Sequence, residues 1–450
     1  MIDNLLYVSI FLIWAMLFYH MMLIQGGYYF SLRYQKQMNR WLERNQWLER
    51  IRDLPTVSIL IPAHNEEVVI EKTIQSMLEL NYPKQKLEVI IINDNSSDAT
   101  GIIADSYARK YSFVHVLHNQ PPVGGKGKSG ALNAGLKIAT GEYIIVYDAD
   151  NTPEPNAVRN LALTLQNDPK AGAVVGKFRV INAEKNLLTR FINIETITFQ
   201  WLAQAGRWFW FKLTTIPGTN FAIRRSILDK LGGWDEKALS EDTELSIRVY
   251  HLNYYIRMNP SAITWEQEPE LWRVWWKQRT RWARGNMYVI GKYLFKFHKL
   301  NNKKIFIDLM YFLFTYFLFF AGILISHTIF ITNLFVDLEI SIGHVSVVLL
   351  ITGFLLFVTE VLLALSIEEK QLTPRNAVVV LLMYFMYSQI WLTLIVYAAC
   401  LEMKRVVFRQ EVKWYKTQRF QEGATRKQVQ NYQDKQVVPI RKYVERRVVK

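Results

Sequence analysis

The chain has 450 residues, half of them apolar, and a formal charge of +15 at pH 7. That length exceeds one ordinary soluble domain and leaves room for a catalytic domain beside a membrane part. The single cysteine, Cys400, excludes an intramolecular disulfide framework and, lying in an apolar run, reads as a small buried hydrophobe. The basic residues gather beside apolar segments, in 33–52 and after Met403, which favours an anionic lipid surface over nucleic acid. Zinc-finger spacings and RNA-binding aromatic motifs are absent from the sequence.

Residues 5–24, LLYVSIFLIWAMLFYHMMLI, carry no acid and no lysine. About twenty such residues span a bilayer core. No basic n-region or small-residue cleavage site accompanies them, so they predict an anchor within 1–30 rather than a cleaved signal peptide. Arg33, Lys36, Arg40, Arg44, Arg50 and Arg52 follow in a basic juxtamembrane segment, 31–54, and place the next domain in the cytoplasm.

From 55 the pattern changes. PTVSILIPAHNE (55–66) reads as a buried strand with a polar end, and Val68, Ile70, Ile74, Met77 and Leu78 then give helical spacing. LEVIIINDNSSD (87–98), EYIIVYDAD (142–150) and AGAVVGKF (171–178) predict further strands, and GALNAGLKIATG (130–141) a helix closing on Gly141. Strands alternating with helices predict an α/β domain over 55–265, a mostly parallel sheet with helices on both faces. Ligands bind at the carboxyl ends of such strands. Acidic residues sit there: Glu66, Asp94, Asp148 and Asp150.

Asp148 and Asp150 are one residue apart at a strand end and can turn toward one ligand; two hard carboxylates suit Mg²⁺ or Mn²⁺ beside phosphates. Asp94 is either a turn-capping residue or a carboxylate accepting from a nucleobase N–H. PVGGKGKSGALNAG (122–135) is glycine-rich, contains Lys128 and leads into a helix, so it can approach phosphates; it lacks the P-loop and dinucleotide fingerprints. LSEDTELSIRVY (239–250) reads as a helix start with Ser240 as N-cap and Asp242 in the first turn, where an ionised carboxylate can act as a base. In WRVWWKQRTRWARGN (272–286), Gln278, Arg281 and Trp282 share one helix face. Arg281 suits a diphosphate and Trp282 a sugar ring, and the remaining aromatics and bases of 266–304 suit helices at the lipid interface. Three apolar runs follow at 305–332, 345–366 and 377–401, then a basic tail, 403–450. Four spans with a cytoplasmic middle leave that tail outside, against its basic composition.

In the order Asp94, Asp148-x-Asp150, Glu241-Asp242 and Gln278-x-x-Arg281-Trp282, the chain resembles the processive membrane-bound glycosyltransferases of family 2, among them cellulose, chitin, hyaluronan and poly-N-acetylglucosamine synthases. The resemblance covers about 55–290. It implies a GT-A-like domain and an inverting transfer from a UDP-sugar, glucose or N-acetylglucosamine, to a growing glycan. By position it implies that His64, Glu66, Asp94, Lys128, Asp148, Gln278 and Arg281 hold the donor. The resemblance also implies that Asp150 binds Mg²⁺ or Mn²⁺, that Asp242 is the base, and that Gly218, Thr219, Asn220, Glu241 and Trp282 contact the acceptor. A multi-pass plasma-membrane location and export of the product are also implied. Ser240 stands where the family usually has threonine, and the spans are few, which suggests a small membrane partner subunit or a homo-oligomer. Arg405-x-x-x-Arg409 begins a cyclic-di-GMP motif that is not completed. Transfer of one sugar to a lipid and an inactive sugar-nucleotide-binding subunit are the alternatives.

Overall fold

The computed structural model describes residues 2–43, 53–121, 124–125, 127–294, 296, 303–336, 338 and 343–408. Arg44, Arg50, Arg52, Arg409 and most of the basic tail lie outside the described residues.

Eight strands form one sheet: β1 (Val57–Ala63), β2 (Leu87–Asp94), β3 (Val114–Asn119), β4 (Tyr143–Val146), β5 (Thr152–Pro153), β6 (Ala171–Val180), β7 (Phe221–Arg224) and β8 (Tyr255–Glu266). Their order is β3-β2-β1-β4-β7-β6-β8-β5. Successive residues of a strand face opposite sides, and both sides here are covered. Ile59, Ile61, Val89, Ile91 and Ile145 pack on the helices Ile70–Leu78 and Ala157–Gln166. Leu60, Ile90, Ile92, Ile144 and Val146 pack on the helix Lys128–Ile138. Burial on both faces is why these strands read as unbroken apolar runs. Each such side chain contributes roughly 1.5–3 kcal/mol by leaving water.

The sheet is more mixed than the sequence predicts. β1 pairs parallel with β2 and β4, β2 with β3, and β6 with β8, but β7 runs antiparallel to β4 and β6, and β5 to β8. β7 has four residues, too few to show a period. β8 contains Pro260, which argues against a strand; the register of β6 and β8 slips there, between Val175 opposite Met258 and Lys177 opposite Ile263. Gly141 does not close a helix. The helix ends at Ile138 with Ala139 already extended. Gly141 instead lies against β1, where a Cβ would sit 2.4 Å from the Ser58 nitrogen.

The first helix runs unbroken over Ile2–Glu43, about 63 Å, well past the expected anchor. Gly26 and Gly27 do not interrupt it, because they serve close packing. A Cβ on Gly27 would fall 2.0 Å from the Trp201 carbonyl, and one on Gly206 2.1 Å from the Leu23 carbonyl. Among the described residues, Ile2–Gln37, Lys304–Asn333 and Pro374–Phe408 are long and apolar enough to cross a membrane, and Ile351–Ile367 is a shorter apolar stretch. Cys400 is exposed on the last of these helices rather than buried. Buried ion pairs join the sheet domain to the apolar helices. Arg207 pairs with Asp308, and Glu368 takes Lys177 at 2.7 Å and Arg179 at 3.0 Å.

Candidate active site

The loops leaving β1, β2 and β4 converge. Asn65 and Asn95 adopt left-handed backbone conformations (φ 54° and 58°), which turn the chain sharply after each strand. The His64 ring nitrogen Nδ1 lies 2.7 Å from the Asp94 carbonyl oxygen, tying the two strand ends together. Glu66 is buried, and its backbone N–H donates to Thr100 Oγ1 at 2.7 Å. Asp94 is also buried and accepts from the Gly125 N–H at 3.0 Å, so the glycine-rich segment folds over β2. Gly125 and Gly127 have φ of 80° and 82°, angles that a side chain would strain.

Lys128 opens the next helix and reaches across the strand ends. Its Nζ lies 2.5 Å from Asp148 Oδ1 and 3.9 Å from Glu241 Oε1, and donates to the Gly218 carbonyl at 2.9 Å. Burial pulls the lysine pKa down, but the Asp148 and Glu241 charges more than offset this and hold it above its usual value. The Asp148 N–H donates to Asn151 Oδ1 at 2.9 Å and to Thr219 Oγ1 at 3.0 Å, and Asp150 Oδ2 accepts from the Gln267 N–H at 3.4 Å.

The helix Glu241–His251 carries three acids in its first turn, where the helix dipole favours negative charge. Ser240 occupies the N-cap position but makes no side-chain capping bond. It packs instead on Gly285, where a Cβ would come 2.0 Å from Ser240 Oγ. Asp242 Oδ1 accepts from the Thr243 N–H at 2.6 Å. Gly218 has φ +90°, and a Cβ there would lie 2.8 Å from Asp242 Oδ2. Only glycine lets this loop lie so close to both Asp242 and Lys128. Burial pushes both neighbouring acids up. Glu241 rises to about 7, through burial and then the Asp242 charge, against the pull of Lys128. Asp242 is raised by burial, opposed by the Thr243 N–H and the charges of Lys128 and Arg281.

The helix Trp272–Tyr293 brings Gln278, Arg281 and Trp282 to the same space. All these groups line one cavity of about 1220 Å³. Every residue that the resemblance assigns to donor, acceptor, metal or base lines it except Asn220. Asn220 is fully buried and donates from Nδ2 to the Lys177 and Ala262 carbonyls, both at 2.9 Å, so it clamps β6 to β8. Its position does not meet the expectation of an acceptor contact. The cavity continues between the apolar helices, past Trp14, His20, Tyr316 and Glu360. Among the described residues, no group of three or more His, Cys, Asp or Glu could hold a metal. Asp148 and Asp150 are the two hard carboxylates here that could hold an ion taking its other ligands from phosphates and water.

Two charged residues at the site were missed in the sequence. Arg279 is buried between Gln278 and Trp282, and Glu195, on the helix Leu187–Thr198, faces it. An acid inside the apolar LLTRFINIETIT was the available signal.

Residues 58–232 match the profile of glycosyl transferase family 2. Over 93% of this chain and 98% of the relative, the sequence is 58% identical to the probable glycosyltransferase YdaM of Bacillus subtilis (strain 168). The chain belongs to glycosyltransferase family 2. This family 2 enzyme is also 30% identical to a poly-beta-1,6-N-acetyl-D-glucosamine synthase of Staphylococcus epidermidis, over 62% of this chain and 66% of the relative. Its fold resembles that of the mannosyltransferase PcManGT from Pyrobaculum calidifontis, solved with GDP-Man and Mn2+, at a TM-score of 0.50 and 18% identity. That likeness covers 88% of this chain and 99% of the other, and it is one of fold: a GT-A-like sheet flanked by helices.

Proposed function

We propose that this glycosyltransferase is an inverting synthase at the plasma membrane, its catalytic domain cytoplasmic. It extends a polysaccharide from a UDP-sugar, UDP-N-acetylglucosamine before UDP-glucose, and feeds the product into the membrane. The observation that carries this reading is the continuity of the cavity from Asp94, Asp148 and Asp242 past Trp282 to His20 and Glu360 between the apolar helices. A single transfer to a soluble acceptor needs no such extension, and product length separates chain extension from a single transfer to a lipid. The choice of sugar leans on the similarity to the Staphylococcus synthase, and a nucleotide-sugar donor is also what the PcManGT complex holds.

In the mechanism, Asp94, His64 and Glu66 bound the nucleobase side, and Lys128 and Arg281 face the diphosphate. Asp242 takes the proton from the acceptor hydroxyl, whose oxygen then attacks C1 of the donor and displaces UDP with inversion. Asp150, beside Asp148, would hold Mg²⁺ or Mn²⁺, which supplies positive charge for the leaving diphosphate. Lys128 and Arg281 add fixed positive charge. Trp282 offers its ring to the terminal sugar of the acceptor, while Gln278, on the same helix, helps to hold the donor. A small membrane subunit or a second copy completes the path through the bilayer.

A pH dependence follows. The base works ionised, and burial raises its pKa, so the acid limb of the rate lies at higher pH than for an ordinary exposed aspartate. Lys128 lowers the pKa of both acids. Lys128→Met therefore moves the acid limb of kcat/KM to higher pH; a limb that stays in place or moves down contradicts the arrangement. The test of chain extension is product length. With membranes containing Trp282→Ala, sizing gels show a shift from polymer to short oligosaccharides while UDP release continues; full-length polymer at the normal rate contradicts the acceptor role of Trp282.

A further inference from the structure

Arg279 is 1% exposed, and an arginine cannot be buried without partners for its charge. It has three. Its NH2 and Nε donate to Glu195 Oε2 at 2.7 and 3.2 Å, and its NH1 donates to Gln278 Oε1 at 2.7 Å. The guanidinium carbon sits 4.0 Å from the centroid of the Trp282 ring. One indole face is thus covered by a planar cation, while Trp282 keeps 38% of its surface exposed where it lines the cavity.

Glu195 is fixed in turn. Its Oε2 also accepts from the Tyr387 hydroxyl at 3.0 Å, and its Oε1 from Trp391 Nε1 at 3.0 Å. Tyr387 further accepts from Trp275 Nε1 at 2.8 Å. The carboxylate therefore joins three elements: its own helix, the Trp272–Tyr293 helix and the apolar helical stretch Pro374–Phe408.

We infer that Glu195 and Arg279 form a positioning unit that holds the Trp282 ring as the acceptor platform, with Glu195 anchoring it to the membrane helices. The inference rests on the acceptor role proposed for Trp282. Two physical features support it. A stacked guanidinium stops the indole from rotating into the space behind it. A second carboxylate, Glu268, whose Oε2 lies 3.9 Å from Arg279 NH2, also holds the guanidinium in place. Neither residue touches a reacting atom, so neither is catalytic.

The experiment uses the full-length chain in membranes, with N-acetylglucosamine oligosaccharides as added acceptor. Glu195→Gln keeps the shape but removes the charge that holds Arg279. It raises the acceptor KM about tenfold and leaves the KM for UDP-N-acetylglucosamine unchanged. Arg279→Lys keeps the charge but loses the flat stack, and has the same effect. Adding either change to Trp282→Ala causes no further rise in acceptor KM, because the ring on which it acts is gone. UDP binding measured by calorimetry checks that each variant is folded. If Glu195→Gln does not bind UDP, Arg279→Lys decides alone. A KM split that does not appear, or one that persists in the Trp282→Ala background, overturns the inference. If Trp282→Ala alone leaves the acceptor KM unchanged, the acceptor reading itself has failed, and that result is separate from a failure of Glu195 and Arg279 to act through the ring.

Discussion

Asp242→Asn lowers sugar transfer by about 10²–10⁴-fold, the range for loss of a positioned general base, and leaves UDP affinity nearly intact. The amide has the carboxylate's shape and can still accept from the Thr243 N–H, so the helix start keeps its geometry. What it loses is the capacity to take a proton. The Gly218 loop remains seated, because it packs on the side chain by shape. A second consequence is readable. The Asp242 charge is one cause of the raised Glu241 pKa, so Glu241 titrates at lower pH in the variant. Initial rates of transfer beside calorimetric titration with UDP separate the two properties. Equal loss of transfer and binding contradicts the role of base.

Asp150→Ala acts on the other half of the site. It weakens UDP binding in the presence of Mg²⁺ or Mn²⁺ by about 100-fold, at least the effect expected for perturbing a metal ligand, and leaves metal-free UDP binding unchanged. The metal-dependence arises because Lys128 already sits against Asp148 at 2.5 Å, so the metal role is assigned to Asp150, and UDP binding without metal does not need it. Titrations with and without the metal decide it. Loss of metal-free binding to the same extent assigns Asp150 to the fold instead.

The sequence was a good guide wherever chemistry coincides with a strand end. β1, β2 and β4 are apolar runs because both faces are buried, and their polar ends are where loops must turn into solvent. Glu66, Asp94, Asp148 and Asp150 were therefore legible as a group. Spacing along one helix also placed Gln278, Arg281 and Trp282 correctly. Contacts distant in sequence were not legible. The resemblance put Asn220 in a small loop near the acceptor, but its amide nitrogen donates to two carbonyls, of Lys177 in β6 and Ala262 in β8. Arg279 and Glu195 are 84 residues apart, and nothing local shows that they meet. The length of the first helix was missed for a related reason: beyond the apolar run it is held by contacts distant in sequence, Gly26 against Trp210 and Gly27 against Trp201.

The central claim is that the cavity between the strand-end carboxylates and the apolar helices serves a growing glycan. The most direct measurement incubates membranes containing the chain with a panel of radiolabelled UDP-sugars and Mg²⁺ or Mn²⁺, then sizes the product and digests it with linkage-specific hydrolases. The account predicts a long polymer, made from UDP-N-acetylglucosamine before UDP-glucose and absent with Asp242→Asn. A product of one sugar on an organic-extractable lipid, with nothing longer, contradicts it.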